Sequence, residues 1–396
     1  MTRKEYRILI LILGALAALG PFSVDMHLPG FPAIAADLHT DIGHVGLSLT
    51  SFFIGISFGQ LFYGPVIDRC GRKKPLVGGL ILFIVAALGC SLAPSIEWLI
   101  AARFFLALGG CVGMVAGRAV IRDLFPVHQM AQVFSLMMML GGVAPIIAPV
   151  IGGMVVATFG WRFLFYLLMA ITAVILAVIL RHLPESKGPD ASVSLHPWQV
   201  VAGYFKVFKE PTFPIYALAS STAAGGLFSY ISGSSFVFMK LLGLTETQFG
   251  WLYGVNALNL IGANMANRLA LKKYTSVRVL RWASLIQCGL GLLLLGGGLL
   301  GLLRSGYVLI PLIFCYLFCF GFVMSNATAL ALAPFARSAG SASALMGSLQ
   351  MLAGALASTL VSFLHDGTVV PMVLVMACCP MVNLFFLRQG AALAKR

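Results

Sequence analysis

A chain of 396 residues that is 60% hydrophobic and only 10% charged, with a mean hydropathy of +0.99, is not an ordinary soluble domain. Its net charge of +14 would suit a nucleic-acid binder, but the basic residues recur in every second loop, which is the pattern of a membrane protein that keeps its positive loops inside. Twelve apolar runs are each long enough to cross a bilayer, at about 20 residues per helical span: 8–30, 45–66, 75–93, 97–118, 130–157, 161–181, 212–239, 247–267, 279–303, 307–332, 341–364 and 369–388. They are too long and too uniformly apolar for the alternating strands of an outer-membrane barrel, so the expected class is an all-α integral membrane protein.

The first run follows Arg3, Lys4 and Arg7. It is longer than a signal-peptide core and lacks a small-residue cleavage pattern, so it reads as a retained helix. Of the twelve acids, Asp25 alone lies clearly inside a run, in "PFSVDMHLPGFP" (21–32). His27, two residues on, points to another face of a helix, either as a proton relay or as an interfacial or substrate contact. The second run carries Gln60 and Tyr63 and leads into "GPVIDRCGRKKPL" (64–76). There Gly64 permits close helix contact, Gly71 a tight turn, and Arg69, Arg72 and Lys73 hold the loop on the cytoplasmic side. Asp68 in the same loop needs a partner of positive potential, and the start of the eleventh run near Ser341 offers a helix N-terminus.

The fourth run, "WLIAARFFLALGGCVG" (98–113), holds Arg103. A guanidinium at the centre of a span costs about 2.5–3.5 kcal/mol or more, so it faces a wet cavity or a partner, or else snorkels to the headgroups. Counted from the run ends, Asp25 and Arg103 share a depth. Burial favours a neutral carboxylate and an adjacent guanidinium a charged one, so protonation of Asp25 can follow the side to which a cavity opens; the alternative is a static ion pair. Arg118 and Arg122 belong to the next basic loop. The fifth run contains "GGVAPIIAPVIGG" (141–153), where Pro145 and Pro149 with Gly152 and Gly153 predict a bent helix with a smooth packing face. Met137, Met138 and Met139 on this run are either an adaptable apolar surface or lipid-facing methionines.

Between runs six and seven, "RHLPESKGPDASVSLHP" (181–197) is the longest polar stretch. It divides the chain into an N-terminal six-helix bundle (1–181), a cytoplasmic linker (182–211) and a C-terminal six-helix bundle (212–396). "DRCGRKK" after run two returns as "NRLALKK" after run eight, and "RDLFPVHQMAQVFSLM" is weakly echoed by "LAPFARSAGSASALM". Repeats of this kind suggest two bundles about an axis normal to the membrane, enclosing a midplane cavity. Its candidate lining is His27, Gln60, Tyr63, Tyr230, Asn256, Asn259, Asn326 and Gln350, each of which serves equally well as a helix-packing hydrogen bond. Eight cysteines lie in or beside helices without zinc-ligand spacing, so neither a disulfide framework nor a metal site is expected. No phosphate-cradling loop, zincin helix or nucleophile elbow is present, which argues against an enzyme and against ATP as the energy source.

The loop 64–76 resembles the signature of the major facilitator superfamily, in which the acid equivalent to Asp68 latches the two halves. Arg103 matches that family's fourth-helix arginine, and "GGVAPIIAPVIGG" resembles its exporter motif, with Ala144 and Ala148 where glycines are expected. "SVDMHLPGFPAIAADL", "GQLFYGP", "VIRDLFP" and "ALNLIGANMANRL" are similar to the Bcr/CflA branch of drug exporters, with His27 at a usual aromatic position and Ala17 and Ala18 where some relatives carry a second acid. The resemblance implies a proton-coupled antiporter of the bacterial inner membrane with both termini cytoplasmic. It needs no cofactor beyond the proton gradient, and no nucleic acid; its partners are the bilayer, protons and small amphipathic organic molecules, and a monomer suffices. A dedicated metabolite exporter is the nearest alternative, and a non-transporting receptor or scaffold a more distant one.

Overall fold

The structure is a computed structural model that describes residues 3–125, 127–190, 195–335 and 339–393. Residues 191–194 and 336–338, and the side chains of Arg3, Lys4, Met138 and Arg304, lie outside the described set. The described chain is helical throughout: α1 (Arg3–Asp25), α2 (Phe31–Asp37), α3 (Ile42–Cys70), α4 (Lys73–Ser91), α5 (Ile96–Leu124), α6 (Val127–Phe159), α7 (Arg162–His182), α8 (Pro197–Phe208), α9 (Thr212–Ser235), α10 (Glu246–Ala270), α11 (Ser276–Leu299), α12 (Gly306–Leu332), α13 (Ala339–Phe363) and α14 (Val370–Leu393). All but the short α2 and α8 match the twelve expected runs.

Among the described residues, ten segments are both long and apolar enough to cross a membrane, α1 and α2 counting as one. The other two expected spans, α9 and α10, are of spanning length at 24 and 25 residues but richer in polar groups. Several of those groups are buried and bonded within the protein. Ser221 and Ser229 donate to the carbonyls of Ala217 and Gly225 at 2.7 Å, one helical turn back. Asn259 donates to the Phe314 carbonyl at 2.7 Å. A helix whose hydroxyls and amides bond inside protein remains compatible with lipid.

Two features depart from the sequence reading. Run one is not continuous, because α1 ends at Asp25 and the chain passes through a 3-10 turn, Leu28–Gly30, into α2. Pro29 and Pro32 supply no backbone donor for a continuing ladder, which stops the helix here. Conversely, α5 runs on to Leu124, so Arg118 and Arg122 sit exposed on its last turns instead of in a loop.

The first six spans pack chiefly on one another, α3 along α5, α4 between α5 and α7, and α1 against α6, α5 and α7. The last six do likewise, with α9 against α12, α13 and α14, and α11 against α12 and α14. Two extensive contacts join the groups, α3 with α13 and α6 with α10. The contact of α6 with α10 is tight toward the end remote from the basic loop 69–74, and that of α3 with α13 runs from the remote end past the middle of both helices. Along α3 and α13, the Thr359 and Thr50 hydroxyls meet at 3.4 Å and the Ser57 and Ser348 hydroxyls at 2.8 Å. At the basic end, the Asp68 side chain of α3 is part-exposed and Ser341 of α13 is exposed.

Candidate functional site

The break after α1 creates the site. His27 N–H bonds the Val24 carbonyl at 3.2 Å, a three-residue step in place of the helical four, so the Ser23 carbonyl loses its helical donor. Arg103 of α5 takes it, donating from Nη1 at 2.8 Å. The Leu28 carbonyl receives the Ser235 hydroxyl at 2.8 Å from the other group of helices. Arg103 is fully buried and lies 4.4 Å from the centre of the Phe52 ring, while its Nε and Nη2 find no partner among the described residues. A buried guanidinium held by one carbonyl and one ring face retains unused donor capacity beside the helix break.

Asp25, the last residue of α1, is 5% exposed and is the only buried acid among the described residues. Its Oδ1 accepts from the Tyr253 hydroxyl of α10 at 3.0 Å. Tyr253 stacks on Tyr230 of α9 with ring centres 5.8 Å apart, and Asn256 Nδ2 donates to the Tyr230 hydroxyl at 2.9 Å. Asp25 is thereby tied across the two groups of helices. Among the described contacts it forms no ion pair with Arg103; the two act on the same break from different sides. Tyr253 escaped the sequence reading, although it stands three residues from Asn256 and so shares its helix face.

The proline and glycine motif of α6 closes the same region. A Cβ on Gly152 would fall 2.5 Å from the Met26 carbonyl oxygen, and one on Gly153 2.5 Å from that of Glu246. On the facing helix a Cβ on Gly250 would fall 2.6 Å from the Pro149 carbonyl oxygen. Pro145 and Pro149 are both inside α6, which continues through them. Small residues at four-residue steps therefore let α6 and α10 run backbone to backbone beside Asp25.

The remaining candidates divide. Tyr230 and Asn256 join the Asp25 cluster. His27 is buried, its Nε2 3.0 Å from the Ser48 hydroxyl and its ring packed on Phe31 and Phe165. Gln60 lies over Gly347 in the α3 and α13 seam, and Tyr63 is buried on α3 beside Phe62. Asn259 bonds α12, the Asn326 amide donates to Asn267 at 2.7 Å and to the Phe322 carbonyl at 2.9 Å, and Gln350 donates to Ser220 at 3.2 Å. These last three hold helices of one group together. An open recess of about 710 Å³ lies between α11 and α12 around Trp282 and Phe318, away from the seam.

At the basic end, Gly71 adopts φ +85°, and a Cβ there would meet the Glu185 carboxylate at 3.1 Å. Glu185 accepts from the backbone N–H of Arg72 at 2.7 Å and of Lys73 at 3.2 Å, capping the start of α4. The Arg72 guanidinium, 1% exposed, donates from Nε to Asp123 at 2.7 Å and from Nη1 to Asp68 at 2.7 Å. Burial opposes its charge, but the bonds to Asp123 and Asp68 outweigh that and raise its pKa. Lys73 Nζ donates to the Leu180 carbonyl at 3.1 Å, and the Arg69 carbonyl accepts from the Asp190 N–H at 3.1 Å. The described partner of Asp68 is thus within its own group, not the start of α13.

Asp123 is 13% exposed and Asp68 42%. Arg72→Ala, which leaves the half-buried Asp123 carboxylate without its guanidinium, is expected to cost up to about 3 kcal/mol. Asp123→Asn should lower the thermal midpoint in detergent far more than Asp68→Asn; equal losses would contradict this ordering.

Among the described residues, no group of three or more His, Cys, Asp or Glu is placed to hold a metal ion. Comparison with known proteins adds the family. Residues 13–358 match the family model described as Major Facilitator Superfamily. The chain is 35% identical to an uncharacterised MFS-type transporter of Bacillus subtilis (strain 168), over 94% of this chain and 92% of that one. It is 33% identical to a bicyclomycin resistance protein homolog of Haemophilus influenzae, over 96% and 95%. It is 29% identical to multidrug resistance protein D of Escherichia coli (strain K12), over 90% and 89%. Among solved structures, a D-xylose-proton symporter superposes with a TM-score of 0.76 at 14% identity, covering 97% of each chain. A bacterial homolog of the human lysosomal transporter Spinster, inward-facing and unoccupied, does so with a TM-score of 0.74 at 14% identity, covering 99% of this chain and 96% of that one.

Proposed function

The chain belongs to the Major Facilitator Superfamily, and from that premise we propose that it is a proton-coupled exporter of small amphipathic organic molecules in a bacterial inner membrane. The observation that carries this reading is Asp25, a buried carboxylate at a helix break, bonded through Tyr253 to the opposite group of helices. The bodies that rock are residues 1–181 and 212–396, joined by 182–211, with the basic end and both termini cytoplasmic. With the remote end closed, the cargo path opens to the cytoplasm.

Asp25 is the proton carrier in this scheme. Protonation removes the negative charge to which Tyr253 donates and so weakens the tie across the seam. Closure and proton occupancy are thereby linked, because a charge-assisted hydrogen bond is worth about 1.5–3 kcal/mol. Arg103 balances the charged and neutral forms of the region without being consumed in an ion pair. Asp68, Arg69, Gly71, Arg72 and Lys73 shape the cytoplasmic mouth, where Asp68 is part-exposed and available to exchange partners during closure. The names of relatives in bicyclomycin and multidrug resistance support an amphipathic organic cargo.

In respiring everted vesicles, the chain is expected to accumulate an amphipathic dye and to lose it when nigericin collapses the pH gradient. Dye accumulation that survives that collapse would overturn proton coupling. Tyr253→Phe keeps the ring stack on Tyr230 and deletes only the hydroxyl, so it should slow energised uptake about tenfold while leaving folded yield unchanged. An unaltered rate would remove Tyr253 from the mechanism.

A further inference from the structure

The linker is more than a tether. Its helix α8 shows three faces. Tyr204 and Val207 turn inward: the Tyr204 hydroxyl donates to the Leu61 carbonyl of α3 at 3.0 Å, and Val207 is buried with Phe213, Ala331, Ala342 and Met346 at the ends of α9, α12 and α13. One short helix therefore grips both groups of spans where those spans end at the basic side. A second face carries Gln199 and Lys206, both exposed. The third face is a stripe of Trp198, Val201, Phe205 and Phe208 at helical spacing, exposed by 76%, 57%, 58% and 38%.

A large apolar stripe of this kind, open to water, would be costly on a soluble surface. Here its position supplies the partner. The inward face rests on the ends of membrane spans, which places α8 at the boundary of hydrocarbon and headgroups. Trp and Phe on one side with Lys on the other is the composition of a helix lying in that boundary. Lys206 and Lys209 outnumber the single acid beside them, Glu210, and Lys209 Nζ sits 5.0 Å from the Phe205 ring, at the edge of the stripe. We infer that α8 is a lipid-seated strap: its stripe enters the leaflet at the basic end, its lysines meet anionic headgroups, and its inner face clasps the two halves together. This holds whether or not the chain exports amphipathic molecules.

Fluorescence of Trp198 tests it, isolated as the difference between wild type and Trp198→Phe in the full-length chain reconstituted in phosphatidylcholine vesicles with or without phosphatidylglycerol. Lipids brominated near the top of the acyl chain should quench the Trp198 component at least about twofold, while aqueous iodide should leave it unchanged. Quenching should be stronger with phosphatidylglycerol, and Lys206→Gln with Lys209→Gln should erase that difference. Phe205→Glu should lower bromolipid quenching. A Trp198 quenched by iodide and indifferent to bromolipid would overturn the seat, and quenching by bromolipid that is independent of headgroup charge in wild type would overturn the anionic preference.

Discussion

Asp25→Asn is expected to abolish uphill export, by at least about a hundredfold, while leaving insertion and folding intact. The amide has nearly the size of the carboxylate and its oxygen still accepts from the Tyr253 hydroxyl, so the contact between α1 and α10 is kept. What it loses is the exchangeable proton. No other acid among the described residues is buried within the protein to replace it, and a group that cannot change charge cannot make the equilibrium between the two closed forms depend on the proton. Downhill exchange of labelled cargo, which needs no net proton movement, should persist at a measurable rate. Undiminished uphill export by the variant would remove Asp25 from the role of carrier, and loss of both exchange and folded protein would make the residue structural.

Gly250→Leu is expected to wedge the remote end open and cut transport by about fivefold to a hundredfold. Because the wild-type position already admits no Cβ beside the Pro149 carbonyl, a leucine must push α10 from α6 at the seam that flanks Asp25. Overpacking of this kind costs about 1–3 kcal/mol, which at 1.4 kcal/mol per factor of ten moves a two-state equilibrium by that range. Gly262→Leu is the control on the same helix, since a Cβ there meets nothing within 4 Å. Spin labels on the remote ends of α3 and α13 should report a wider separation for Gly250→Leu alone. Equal separations in the two variants, with equal transport, would show that the seam does not hold that end closed.

Much of this arrangement is legible in the sequence, for reasons specific to membranes. Length and hydropathy find most spans because lipid allows no unsatisfied backbone, and the twelve runs coincide with α1, α3 to α7 and α9 to α14, α9 and α10 being the more polar ones. The identity of the family is carried by 64–76, where Gly71 does what its position in the motif requires at φ +85°. Partnerships were harder to read. Asp25 and Arg103 share the break, yet each bonds elsewhere, because matching depth says nothing about rotation around a helix axis. Asp68 pairs with Arg72, four residues away, a partner available to any helix end. Nothing in the run 247–267 sets Tyr253 apart from the other tyrosines of apolar runs; its role comes from a carboxylate of another helix 3.0 Å away. The stop after Asp25 was signalled by Pro29 and Pro32, but in a long apolar run prolines mark a kink as readily as a break.

The seam itself explains why the glycines of 141–153 need not follow the exporter pattern throughout. Ala144 and Ala148 are buried and small enough for close helix approach, whereas Gly152 and Gly153 sit where neighbouring backbone leaves no space for a Cβ. Of the four glycines in 141–153, Gly152 and Gly153 stand at the points of closest backbone approach, and alanine serves at 144 and 148.

The central claim is that proton movement and cargo movement are joined at Asp25. It is tested most directly in proteoliposomes carrying an imposed pH gradient and an entrapped pH dye, to which amphipathic antibiotics and nucleosides are added in turn. Proton flux triggered by at least one of these compounds is expected in wild type and none in Asp25→Asn. Cargo movement without proton flux in wild type, or the same triggered flux in both proteins, would contradict it.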